Sequence, residues 1–371
     1  MKRSLSNYIL LILIGTIAFG WTTPAITAEN PAKPPWQAEW DKTLAAAKSE
    51  GKVVISIVWG ADLQTALKKP FKEKYGIDIE FLTGRGADSV TKLLAERNAG
   101  VYAVDLYLSG PGSMLTSLKP AGALAPFKPL LLLPEVADRR AYFGNELPFI
   151  DKDMYIIAHA QAVGNSLAIN TSLVKPGEIK GYTDLLNQKW KGKIVLNDPT
   201  ITGTASEWFF ATMNMMGADF HRRLVKQEPM VTRDLRQQVE WLARGKYPIA
   251  LSPYKGEVAE FQRLGAPVDW ITPAEGEFIS PSGSIAYFDK APHPNAAKVF
   301  VNWLLSKEGL TAWSRTTQWM TARKDVPTDF LPPKSIRDPN LQYVDLCNEE
   351  MKLKVAASMK LAKEIYAPLL K

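Results

Sequence analysis

The segment VVISIVW (53–59) is almost wholly apolar and rich in β-branched side chains. Such residues are stiff at χ1 and suit a pleated strand. A strand that is apolar on both faces must be covered on both, which points to a mainly parallel sheet layered between helices. The flanking sequence supplies those helices. WDKTLAAAKSEGK (40–52) reads as a helix closed by Gly51, and ADLQTALKKPFKEKYG (61–76) as one interrupted by Pro70 and ended by Gly76. IDIEFL (77–82) alternates as a strand does, ADSVTKLLAERNAG (87–100) is helical, and VDLYLS (104–109) is a third strand. Strand–helix alternation of this kind predicts an α/β fold. Ligands in such folds sit beyond the C-terminal ends of the strands, here Trp59-Gly60, Gly84-Arg85-Gly86 and Ser109-Gly110.

The chain has 371 residues, more than one hydrophobic core ordinarily serves, so two lobes are expected. MYIIAHAQAVGNSLAINTSLV (154–174) is extended with one turn-like place, Gly164-Asn165, and is long enough to pass from one lobe to the other. A second α/β set follows: strands at 193–198, 248–253 and 268–272, and helices at 202–217, 234–245 and 257–265. Thr202 or Thr204 is available to cap the first of these helices. GSIAYF (283–288) is extended again and suits a return crossing. HPNAAKVFVNWLLSKEG (293–309) is an amphipathic helix with Asn295 as cap, Gly309 as stop, and Val299, Phe300, Trp303 and Leu304 on one face. The stretch 341–366 has neither Gly nor Pro and reads as one long helix.

Lys2 and Arg3, an uncharged apolar run at 8–21, and a small-residue cleavage point at Ala28 form the layout of a secretory signal peptide over 1–28. The apolar run falls short of the ~20 residues a membrane span needs. Cys347 is the only cysteine, so no intrachain disulfide forms and no lipid anchor is set near the cut. The net charge of +7 suits an anionic ligand or surface. No basic tract is interleaved with aromatics, which argues against nucleic acid as a partner.

FLTGRGADSVTKLLAE (81–96) begins as a phosphate-cradling loop does. In the pattern G-x-G-x-x-G the third glycine is replaced by Ser89, and Asp105 lies at the start of the next strand, not at the end where a ribose ligand needs it. A Walker loop is absent as well. What remains is a helix N-terminus near Ala87 with its unpaired N–H groups, two glycines that admit close approach, and Arg85 with a planar permanent charge. The alternative is a solvated arginine between turn glycines. VLNDPTITGTASEWF (195–209) repeats the construction, with Asp198 at a strand end, Gly203 in the loop, and a helix opening near Thr204. His159, His221 and His293 are isolated, with no zinc spacing. S-x-x-K matches lack their companions and G-x-S-x-G does not occur. Cys347 has apolar neighbours and reads as a packing residue. No cofactor is expected.

Three stretches, FLTGRGADSVTKLLAER, LAINTSLVKP…GYTDLLNQKWKGKIVLNDP and FDKAPHPNAAKVFVNWLLSKEG, resemble bacterial extracellular solute-binding proteins of ABC importers, in the branch that contains ferric-ion-binding proteins. The resemblance covers about residues 50–325. It implies a two-lobed periplasmic-binding-protein-like fold, each lobe a mixed sheet flanked by helices, with two hinge-crossing strands. The lobes would be 29–162 with 284–371, C-terminal helices included, and 163–283. It implies a monomeric, non-catalytic periplasmic protein that captures a small solute by hinge closure and presents it to a permease and ATPase complex in the inner membrane. One departure bears on the solute. Ferric-ion members carry adjacent tyrosines after the strand that here reads IALSPYKGE, whereas this chain has Tyr254 alone, between Pro253 and Lys255. Trp319-Met320 likewise replaces a frequent Tyr-Pro. A small organic anion, carboxylate or phospho-compound, is therefore expected. Trp59, Gly60, Gly84, Arg85, Gly86, Ala87, Ser109, Asp198, Thr202, Gly203, Thr204 and Tyr254 are the candidate site. The alternatives are a ferric or other metal ion held by Tyr254 with a synergistic anion near Arg85, and an exported enzyme on the same scaffold.

Overall fold

The computed structural model describes residues 34–370, positions 85, 165 and 339 excepted, without the side chains of 86–88. The expected signal segment 1–28 lies outside the described residues.

Helix α1 (Pro35–Glu50) leads into β1 (Lys52–Ile57), which is buried at every position after Lys52. α2 (Ala61–Tyr75) ends at Gly76, whose φ of 74° is the left-handed geometry of a helix C-cap; its N–H donates to the Lys72 carbonyl. Pro70 was expected to interrupt this helix and does not. Leu63, Leu67, Phe71 and Tyr75 recur every fourth residue on one buried face, and their packing carries the helix through the proline. β2 (Asp78–Thr83), α3 (Gly86–Asn98) and β3 (Leu106–Ser109) follow, and both β2 and β3 pair parallel with β1. A short α4 (Pro111–Ser113) continues into a π-helical turn over Met114–Leu118. β4 (Leu124–Ala125) and α5 (Pro134–Ala137) then lead to β5 (Ile156–Val163).

The chain leaves the first sheet after Gly164. β6 (Leu167–Asn170), β7 (Ile194–Asn197), α6 (Thr204–Val225), β8 (Met230–Thr232), α7 (Leu235–Ala243), β9 (Ile249–Leu251), α8 (Lys255–Arg263) and β10 (Val268–Ile271) build the second lobe. Its sheet runs β10-β6-β9-β7-β8, with β7 parallel to β8 and β9 and the other pairs antiparallel. α6 is broken at Gly217 (φ 77°), where the sequence placed its end. Neither Thr202 nor Thr204 caps it: Gly203 is the cap, and its N–H donates to Ser206 Oγ at 3.2 Å.

β11 (Glu277–Phe288) is the return crossing and begins six residues before the expected 283. Phe278 enters the second lobe's core while Ile285 enters the first lobe's, so one strand feeds two cores. It pairs antiparallel with β5 and β3, giving a sheet in the order Met320–Thr321 (β12), β5, β11, β3, β1, β2, with β4 and Tyr343–Asp345 (β13) also on β11. A bulge at Gly283 is open only to glycine, since a Cβ there would stand 2.6 Å from His159 Nε2. α9 (Pro294–Leu304) buries Val299, Phe300, Trp303 and Leu304 in the first core, as its spacing predicts. Asn295 is not its cap: His293 precedes Pro294, and the Glu50 carboxylate accepts from the Asn295 and Ala296 N–H groups. Asp105 is a buried strut, accepting from Val54 N and from His293 N and Nδ1. α10 (Lys307–Thr317) adds Trp313 to the first core, and β12 (Met320–Thr321) pairs with β5.

The C-terminal segment departs from expectation. Instead of one helix over 341–366 it forms β13 (Tyr343–Asp345), paired with β11, and α11 (Glu349–Tyr366). Nor does α11 return to the first lobe. Val355, Ala362, Ile365 and Tyr366 join the second core beside Trp208 and Phe209, and Tyr366 Oη is 2.9 Å from His221 Nδ1. The aromatic outer face of α6 needs a cover, and α11 supplies it. The first turn of α11 reaches the first lobe through Glu349: its N–H donates to the Ile150 carbonyl and its carboxylate pairs with Lys119 at 3.0 Å.

Candidate functional site

The ends of the parallel strands, the two crossing strands and α11 enclose a cleft of about 870 Å³. Its back is the β5–β11 pair, with Ala162, Val163, Ser280 and Ser282. One wall comes from the first lobe: Trp59 after β1, Ser109 ending β3 and Gly110 after it, and Val90 and Leu94 on α3. The other comes from the second: Ile201–Thr204 entering α6, Arg233, and Tyr254–Lys255 entering α8. The N-terminal ends of α6 and α8 thus open on the cleft, with backbone N–H groups and the positive ends of their dipoles. The lobes touch at one rim, where a Cβ on Gly112 would lie 3.3 Å from Thr202 Cγ2.

Of the residues the sequence nominated, Trp59, Ser109, Thr202, Gly203, Thr204 and Tyr254 line the cleft. Trp59 is held edge-on by Trp313 and Trp319, at ring separations of 4.7 and 6.3 Å, and is 8% exposed. Gly60 does not line it; it is the exposed residue before α2. Gly84 packs instead against Ser89, where a Cβ would stand 2.6 Å from Oγ. Gly86 and Ala87 open α3, and Arg85 lies outside the described residues. Asp198 is not a cleft residue either. It is buried, accepts from Thr200 N and Oγ1, and its second oxygen takes Arg233 Nε at 2.8 Å. It therefore orients Arg233, which does line the cleft.

Sequence reasoning overlooked the charges at the back. Lys255 Nζ donates to the Val163 carbonyl at 3.0 Å, and burial brings its pKa down to about 8. Burial raises the carboxyl of neighbouring Glu277 to about 7, opposed by Ser166 N and Oγ, which donate to it at 3.2 Å, and by the charge of Lys255. Lys352 Nζ pairs with Glu207 and donates to Ser280 Oγ at 2.9 Å. The signal for Lys255 was present in the sequence. The start of α8 was expected at Glu257 and falls at Lys255, which moves this side chain from a loop to the first helical position at the cleft. Arg233 and Lys352 carried no such signal, because loop and helix lysines and arginines look alike in sequence.

His159 and His221 are core residues whose pKa burial lowers to about 3, and burial pushes the Cys347 thiol up, away from the reactive thiolate. Among the described residues no three His, Cys, Asp or Glu side chains gather as a metal site would require.

Comparison with known proteins agrees with this architecture. The chain is 20% identical to the periplasmic binding protein AfuA of Actinobacillus pleuropneumoniae, solved with fructose-6-phosphate bound, at a TM-score of 0.67 over 86% of this chain and 99% of that one. Iron-bound HitA of Pseudomonas aeruginosa aligns at 16% identity and a TM-score of 0.64, covering 85% and 99%. The substrate-binding protein of an Agrobacterium tumefaciens ABC transporter aligns at 12% identity and a TM-score of 0.69, covering 85% and 94%. These likenesses establish the two-lobed fold. An uncharacterized protein of Haemophilus influenzae is 26% identical over 302 residues, 78% of this chain and 84% of its own length. Residues 66–342 match the family described as bacterial extracellular solute-binding protein, and the chain belongs to that family.

Proposed function

We propose that this protein is the periplasmic capture component of an ABC importer and holds a small organic anion, a carboxylate or phospho-compound, between its lobes. The observation that carries the reading is Lys255, an ammonium at the back of the cleft whose hydrogen-bond partner is a backbone carbonyl. An anion gives that ammonium a hydrogen-bonded charged partner, where Val163 gives only a dipole and the nearby Glu277 carboxyl, raised to about 7 by burial, is only partly ionised near neutral pH. Arg233, fixed by Asp198, and the N-terminal N–H groups of α6 and α8 add donors around the same space. Contacts made to both walls at once favour the closed arrangement of the lobes, so the solute selects it and the permease meets a closed protein. The sugar phosphate bound by AfuA is one solute of this chemical kind.

A thermal-shift panel of carboxylates, phosphonates, sugar phosphates and Fe³⁺ tests the reading. Stabilisation by one class of organic anion is expected. Stabilisation by Fe³⁺ alone, with a visible charge-transfer band lost in Tyr254→Phe, overturns it in favour of the metal alternative. Turnover of a panel compound by the purified protein overturns it in favour of an enzyme.

A further inference from the structure

We infer that the solute carries an apolar body as well as its anionic group, and that the C-terminal helix α11 selects for that body through Val355, Ala356 and Met359. The inference rests on the anion-capture reading above and names the kind of anion.

The cleft is polarised along its depth. Two ammonium groups stand at the back, where Lys255 holds the Val163 carbonyl and Lys352 holds Ser280 Oγ, both on the crossing strands, while Arg233 and Glu207 line the second wall. From Lys352, α11 leads away along the second wall. Val355, Ala356 and Met359 stand three, four and seven residues on, so they share one helical face with it. That face is ~10 Å long, two turns at 1.5 Å per residue. It ends where the lobes touch: Met359 Sδ is 4.0 Å from Thr202 Oγ1, and Thr202 is the residue that approaches Gly112. Ile201 stands in the same wall and is 37% exposed, a large apolar side chain left facing the cleft. Across from it the first lobe offers Val90 and Leu94 of α3.

Val355, Ala356, Met359 and Ile201 offer no hydrogen bond to a sugar hydroxyl, and the hydroxyls that also line the cleft, Thr202 at the rim and Thr91, Thr116 and Ser117 of the first lobe, belong to other elements. A polyhydroxylated body laid along this face would lose water without replacement, at ~1–3 kcal/mol for each unmatched polar group. A ring or branched hydrocarbon of similar size gains from the same burial, and methionine adapts to its outline. The volume agrees: 870 Å³ lies near the top of the ~300–1,000 Å³ range of sites for drug-sized molecules, far beyond what a bare phosphate fills. The class indicated is a phosphate ester or carboxylate on an apolar, ring-sized body, with its anionic end at Lys255 and its body along α11.

Calorimetric titration of the purified protein with inorganic phosphate, fructose 6-phosphate and 1-naphthyl phosphate tests this. These probes share a headgroup and differ in the body. The expected result is that 1-naphthyl phosphate binds at least about tenfold tighter than fructose 6-phosphate. In Met359→Ser, and in Ile201→Ser as a second exposed position, the ratio of the affinities for 1-naphthyl phosphate and inorganic phosphate is expected to fall by about tenfold. Fructose 6-phosphate binding as tightly as the naphthyl ester, or a ratio unmoved by both substitutions, overturns the inference and leaves anion capture standing. Acetate and 1-naphthoate serve as the matching carboxylate pair, and binding of none of the five overturns the anion reading together with this one.

Discussion

Lys255 and Glu277 illustrate how much the account asks of single side chains. The ammonium binds an anion only while protonated, so affinity is expected to hold below pH 8 and to fall as pH rises through about 8, where burial has brought its pKa. Titrations from pH 6.5 to 9.5 check this, and a flat profile removes Lys255 from the site. Glu277 works in the other direction. Its carboxyl lies at about 7 in the folded protein, against ~4.3 in an unfolded chain, so between those values the native state holds a proton that the unfolded chain releases. Its unfavourable contribution is complete above pH 7 and is relieved as pH falls toward 4.5. Glu277→Gln is expected to be more stable than wild type at pH 8, by ~1–3 kcal/mol, with the advantage shrinking at pH 5. Urea unfolding at the two pH values decides it; an equal difference at both contradicts it. At Gly112 the expectation is steric. A leucine there meets Thr202 across the rim and holds the lobes apart, weakening solute binding by ~1–3 kcal/mol with little change in melting temperature.

At the scale of elements, the sequence was informative wherever periodicity and punctuation agreed. β1, α2 and α3 were legible because apolar residues recurred at strand or helix spacing between glycine stops, and α9 was legible by its spacing alone, since it ends at Leu304 and the expected stop Gly309 lies inside α10. It was uninformative where a partner in space decides. The outer face of α6 is covered by α11, a contact between residues such as His221 and Tyr366, 145 positions apart, that no local pattern records. That packing also turns α11 into a cleft wall, so an error in placing one helix hid Lys352 and Met359 from the candidate site. Tyr366 is fully buried in this contact. Tyr366→Ala is expected to cost ~3–5 kcal/mol in denaturant unfolding, from the cavity and the lost partner of His221. A change below ~1 kcal/mol would show that α11 is not fixed to the second lobe.

For the whole molecule, two lobes follow from one chain crossing twice, and β11 with a residue in each core is the physical statement of that hinge. The lobed plan was legible because crossing strands need long extended runs with few turn residues. The site was legible only in part, because a cleft is assembled from loops hundreds of residues apart. Arg85 was the residue the sequence favoured most; it lies outside the described residues, and the geometry of those that are described turns attention to Lys255. The central claim is therefore that an anion bridges the lobes through this ammonium. Titration calorimetry of wild type and Lys255→Gln with the anion that most stabilises the protein tests it most directly. The account predicts a loss of about 10–100-fold in affinity, the ~1.5–3 kcal/mol of a hydrogen bond to a charged group, at unchanged stoichiometry. An affinity that is the same in both proteins would contradict it.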